Sequence, residues 1–103
     1  MEFSSTRERI VELLTKSDEP LTIDEIADSL GLDRSKRSEI YEHLTHIAKS
    51  VKQKGLILVM VPPKCKSCGY VFKDLTKPRK PSKCPRCRSE RIYPPRFKIL
   101  PRS

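Results

Sequence analysis

The sequence predicts an α+β chain, with helices first, a small sheet last, and a cysteine-bearing module set between the two strands of that sheet. Three observations carry this reading. Residues 5–53 repeat apolar side chains at helical spacing behind two capping signals. The segments "LILVMV" (56–61) and "RFKIL" (96–100) have strand character. Between them lie two Cys-x-x-Cys pairs, fenced on one side by Pro62-Pro63 and on the other by Pro94-Pro95.

Ser5-x-x-Glu8 is a capping-box pattern, and Ile10, Val11, Leu13 and Leu14 follow it as an apolar stripe, so a first helix is expected over about 5–16. Pro20 breaks the chain. Thr22 with Glu25 repeats the capping box for a second helix over 23–30, lined by Ile23, Ile26, Ala27 and Leu30. Gly31 is placed to close it with a positive φ. Ile40, Leu44, Ile47 and Val51 then keep an i, i+4, i+7, i+11 rhythm, which predicts a third helix over about 34–53, stopped at Gly55. A short second helix that ends at a glycine before a longer third one is a helix-turn-helix layout rather than a generic bundle.

A winged helix-turn-helix places a β-hairpin, the wing, directly after its third helix. Here the first wing strand would be 56–61, apolar on both faces as in a strand packed under helices, and the return strand would alternate Phe97 and Ile99 against Arg96 and Lys98. Proline cannot donate to a ladder, so the two proline pairs would end the pairing at one level on both strands. The predicted organisation is therefore a winged helix-turn-helix over 1–61, a cysteine ribbon inserted at the wing hairpin over 62–95, and a return strand with its tail over 96–103.

Cys65, Cys68, Cys84 and Cys87 form two Cys-x-x-Cys pairs fifteen residues apart, with no cysteine left over. That spacing belongs to four-cysteine zinc sites, and each Cys-x-x-Cys turn converges its thiolates. The turn favours a left-handed residue after its second cysteine. Gly69 suits this position, whereas Arg88 must adopt it at a cost of about 1 kcal/mol. A closed four-thiolate site leaves no open coordination position, so the expected cofactor is one structural zinc rather than a catalytic one. His43 and His46 have no further ligand near them in sequence and read as surface histidines. No nucleophile-and-base signature and no phosphate-cradling glycine loop is present, so an enzyme is not expected.

The net charge of +9 is unevenly spread: −5 over residues 1–32, +3 over 33–54 and +11 over 55–103. A polyanion would meet the back half first. Candidate nucleic-acid contacts are Arg34, Ser35, Lys36, Arg37 and Ser38 at the start of the third helix, Thr45 and Lys49 on its outward stripe, and Lys66, Lys77, Arg79, Lys80, Lys83 and Arg86 in the ribbon. Glu42 interrupts the outward stripe, where a carboxylate repels phosphate more often than it reads a cytosine. Prolines 78 and 81 splay the ribbon's basic loop outward.

There is no secretory signal, and the longest apolar run is too short to span a bilayer, so a soluble cytoplasmic protein without membrane contact is expected. Thirty-four per cent charged residues, nine prolines, a single glutamine and no asparagine match hyperthermophilic composition.

"LTIDEIADSLGL" resembles the second helix and turn of archaeal and bacterial winged-helix regulators, although the stretch from Gly31 to the end of the third helix is longer than in compact members. Either the turn is expanded around "DRSKRS" or the helix runs about a turn further. "CKSCGYVFKD" and "CPRC" resemble the two knuckles of rubredoxins, with Arg88 where those have glycine. Rubredoxins bind iron and carry electrons, so an iron electron carrier is one alternative. The closer cysteine pairs, six aromatic residues and basic module favour zinc. As a whole the chain resembles a small archaeal family of predicted transcriptional regulators that join an N-terminal winged helix-turn-helix to a rubredoxin-like zinc ribbon. That resemblance implies a DNA-binding regulator acting on double-stranded DNA. A second alternative is a protein-interaction module docking on RNA polymerase or general transcription factors. The oligomeric state is left open, with a homodimer among the options.

Overall fold

A computed structural model describes residues 5–102. The helices are α1 (Thr6–Lys16), α2 (Ile23–Leu30) and α3 (Arg37–Ser50), and the strands are β1 (Leu56–Val61), β2 (Lys64–Cys65), β3 (Ile92–Tyr93) and β4 (Arg96–Pro101). Both capping boxes form. The Ser5 and Thr22 side chains accept from the N–H groups of Glu8 and Glu25, whose carboxylates accept in return from the cap N–H groups. Gly31 closes α2 at φ 70°, where an L side chain would be strained.

The third helical segment differs from the single helix expected over 34–53. It enters through a 3-10 turn (Arg34–Lys36) capped by the Asp33 carboxylate and leaves through another (Val51–Lys54) that ends at Gly55, φ 75°. The extra length is thus divided between an expanded turn and a tightened helix end. Asp33 accepts from the N–H of Ser35, which holds the entry in i→i+3 geometry before the α ladder can start.

β1 and β4 pair antiparallel without a bulge, from Leu56 opposite Pro101 to Val61 opposite Arg96. On the far side of β4, Leu21 and Phe97 exchange N–H···O bonds of 2.8 Å, so the segment between α1 and α2 adds a one-residue third strand. Lys98 caps the C-terminal end of α1, donating to the carbonyls of Leu14 (3.4 Å) and Ser17. The core lies between helices and sheet: Ile10, Leu14, Ile26, Ile40, Leu44, Ile47 and Phe97 are fully buried. Tyr41 meets Phe97 edge-on at 6.4 Å.

One expectation is corrected here. β1 is apolar on both faces, but only Leu56, Leu58 and Met60 pack against the core. Ile57 on the opposite face is 39% exposed, and so is its ladder neighbour Leu100 at 40%. Helices cover one face of this sheet alone, because α1, α2 and α3 share the single core on that side.

Candidate metal centre and basic surface

Between Val61 and Arg96, which face each other across the ladder, the chain leaves the sheet and builds the ribbon. Pro63 and Pro95 are buried at its base. β2 and β3 pair Lys64 with Tyr93 and Cys65 with Ile92. The two knuckles are built alike: the N–H of Gly69 donates to the carbonyl of Cys65 (3.1 Å) and that of Arg88 to the carbonyl of Cys84 (2.8 Å). Cys65 N–H returns to Tyr70 and Cys84 N–H to Ser89, at 2.8 and 2.9 Å. Both turns need a left-handed residue. Gly69 sits at φ 79°, and Arg88, at φ 64°, is the one non-glycine residue with positive φ among those described.

These turns bring the four Sγ atoms within 4.8 Å of one another. Cys65 lies 3.6 Å from Cys87, and Cys68 lies 3.6 Å from Cys84. A disulfide needs about 2.05 Å. A tetrahedral zinc with Zn–S bonds of about 2.3 Å needs sulfurs a little under 4 Å apart. The cluster therefore has the dimensions of a tetrahedral four-thiolate site, and the arrangement is consistent with one structural zinc. Cys65 and Cys84 face inward, while Cys68 and Cys87 are exposed.

The thiols do not ionise alike. The N–H of Cys68, with help from that of Ser67, draws Cys65 down to about 6. Burial pushes Cys84 up, but the N–H groups of Cys87 and Arg86 outweigh it and the net shift is downward. Cys87 receives the N–H of Ser89, yet three neighbouring sulfurs push it up to about 12. Negative charge crowded on four sulfurs calls for a cation at their centre, which would hold all four as thiolates. The hydrophobic cluster of the helical unit does not substitute for that bond, since it contains no ribbon residue among those described.

The candidate nucleic-acid residues divide into two groups. Arg34, Ser35, Lys36, Arg37 and Ser38 are exposed at the entry of α3, but their charges are engaged. Arg37 grips Asp24 with both Nε (2.6 Å) and Nη2 (3.1 Å), and Arg34 bonds Asp28 at 3.0 Å. Lys36 lies 3.6 Å from Glu39. The Arg37 hydrogen bond holds the Asp24 carboxyl below its usual range. Thr45 is partly buried and donates to the Tyr41 carbonyl at 3.1 Å, whereas Lys49 is exposed.

In the ribbon Lys66, Lys77, Arg79, Lys80, Lys83 and Arg86 are exposed, and none joins an ion pair among the described residues. Lys64, Lys73, Arg88 and Arg91 share that condition, although no motif singles them out; their charge alone was the available signal. The Lys66 ammonium stands 5.0 Å from the centroid of the Tyr93 ring. Lys80 turns toward the helices, lining with Asp24, Arg37, Tyr41 and Pro94 a cleft of about 270 Å³.

Fold and site define a class: a helical α+β domain with a four-cysteine zinc ribbon set into its sheet hairpin. Residues 5–59 match the family described as "PF0610-like, N-terminal", and residues 62–102 match the "PF0610 rubredoxin-like zinc beta-ribbon domain". The chain belongs to this PF0610-like family. The solution NMR structure of protein PF0610 from Pyrococcus furiosus is similar to it, with 38% identity, 97% of this chain and 94% of that chain covered, and a TM-score of 0.75. None of the curated proteins matches the chain. No helix among the described residues is long and apolar enough to cross a membrane.

Proposed function

We propose that the chain is a non-enzymatic, DNA-binding regulator of transcription. In this reading the helices and the β1–β4 hairpin are a winged helix-turn-helix, and the ribbon stands where the wing tip belongs. The observation that carries the reading is the state of the ribbon's cations. From Lys64 to Arg91 ten basic side chains are exposed and outside any ion pair among the described residues, against two acidic ones. A zinc tetrathiolate contributes −2 and leaves the folded ribbon at roughly +6. Such a surface suits phosphate contact, which supplies affinity and register without reading bases.

A second reading is favoured by one observation. The arginines that would enter a major groove are held by Asp24 and Asp28, which suits an α2–α3 face that docks on a protein such as RNA polymerase or a general transcription factor.

A salt titration of duplex binding by the zinc-loaded chain tests both. The expected result is strongly salt-dependent affinity for any sequence. Replacing Lys77, Arg79 and Lys83 by Gln should make the log–log salt slope shallower by about 0.9 for each phosphate no longer neutralised. A slope that ignores the three substitutions would overturn the ribbon grip. Failure to shift duplex even at low salt, with binding to polymerase retained, would replace the DNA reading by the docking one.

A further inference from the structure

We infer that the outer edge of β1 pairs antiparallel with the same edge of a second copy of this chain, about a twofold axis at Leu58. The alternation of the ladder leads to this. Arg102 N–H donates to the Gly55 carbonyl at 2.8 Å, so that rung bonds across the hairpin. Counting by two along the antiparallel register, Ile57, Val59 and Val61 direct their N–H and C=O groups at β4, and Leu56, Leu58 and Met60 direct theirs away from it. Phe97 gives an independent check. It stands opposite Met60 and exchanges its bonds with Leu21 on the other side of β4, as a residue of the non-bonded set must. No hydrogen bond reaches the backbone of Leu56, Leu58 or Met60 from any other described element.

Soluble proteins protect such an edge with charge, proline, a bulge or a covering segment. The stretch "LILVMV" has no charged residue and no proline, and its register with β4 runs unbroken. Its bonding pattern is also its own complement. A twofold axis at Leu58 sets Leu58 against itself and Leu56 against Met60 of the second copy, so every outward donor along the strand meets an acceptor. The same axis sets Ile57 against Val59 of the second copy on the open face. Ile57 and Leu100, 39% and 40% exposed, then become part of an apolar strip across a four-stranded sheet.

Charge selects the direction, and the self-complementary edge suits a second copy. The ribbon leaves from the Val61 end of the strand and carries most of the excess positive charge of a chain at +9. Antiparallel pairing sends the two ribbons to opposite ends of the joined sheet, where they do not repel, whereas parallel pairing would set them side by side.

The test is sedimentation equilibrium of the full zinc-loaded chain from about 1 to 500 µM, with backbone amide exchange at both ends of that range. The expected result is a concentration-dependent dimer. The Leu58 and Met60 amides should slow at least tenfold from the dilute to the concentrated sample, with those of Ile57 and Val59 protected in both. Ile57→Lys with Val59→Lys sets lysines against lysines across the axis and should weaken association at least a hundredfold. Leu100→Lys, on the same face but on the strand that does not pair, should leave association within about threefold. A wild-type monomer throughout, or a dimer whose Leu58 and Met60 amides stay unprotected, would overturn the inference. Equal dissociation by Leu100→Lys would also do so, because it would mean that the sheets stack by their faces.

Discussion

The helical unit and the ribbon share one chain but are held together by different forces. In the first, eleven buried residues from three helices, the 3-10 turn after α3 and β4 form one apolar cluster, and capping boxes close the starts of α1 and α2. In the second, the apolar side chains that are buried are Ile92, Pro81 and the two inner cysteines, with Pro63 and Pro95 at the base, and order comes from turn geometry around four sulfurs. Apolar burial is distributed, so the helical unit loses stability in increments. A metal–thiolate bond set is concentrated, and its loss removes the whole ribbon at once.

Removal of the metal is the largest expected effect. Apparent binding free energies of structural zinc run to about 10–16 kcal/mol, so chelation, or Cys84→Ser, should collapse the ribbon's amide dispersion while far-UV helical signal persists. Simultaneous loss of both signals would show that the two regions are not separable. Next in size is Phe97→Ala, which empties a fully buried site between Tyr41 and Leu21. It should cost about 3–5 kcal/mol in the unfolding of the helical unit, measured by denaturant titration, with zinc stoichiometry unchanged.

A smaller effect has the opposite sign. Arg88 holds φ 64°, so Arg88→Gly should stabilise the ribbon by about 1 kcal/mol, read as slower zinc release to a competing chelator. Acid should separate the regions most finely. Cysteine thiols must shed their protons to hold a metal, so on acidification the ribbon should take those protons back and release it while the helices stand. The helical unit depends instead on carboxylates such as Asp24, whose folded value lies below its ordinary 3.8. Its contribution is present above that value and fades as pH falls through the lowered one. Because Asp24 is partly exposed, the loss should be under about 1 kcal/mol. Helical signal that fades before zinc release would break the ordering.

Legibility followed the range of each interaction. Both capping boxes, the left-handed Gly31, the stop at Gly55 and the strained Arg88 could be read because their partners lie within a few residues along the chain. The cysteine cluster was readable for a different reason, since spacing alone encodes the two turns. The grip of Arg37 on Asp24, thirteen residues away, was hidden because it depends on how α2 and α3 cross. So was the Lys98 cap on α1, which joins residues more than eighty apart. The outward strip of β1 was misjudged because an apolar run does not say which of its faces a helix will cover. Leu21 gave no strand signal, since one residue has no period.

The junction at Val61 and Arg96 has a consequence for how such a protein can be altered. Chain enters and leaves the ribbon across a single rung, so whatever lies between those residues has its ends already side by side. The host sheet does not register the length of what it carries. Exchanging residues 62–95 for an Asn-Gly turn, or for another compact insert with adjacent ends, would leave the hairpin's register as it is. Shuffling at that rung could therefore give one scaffold many different heads.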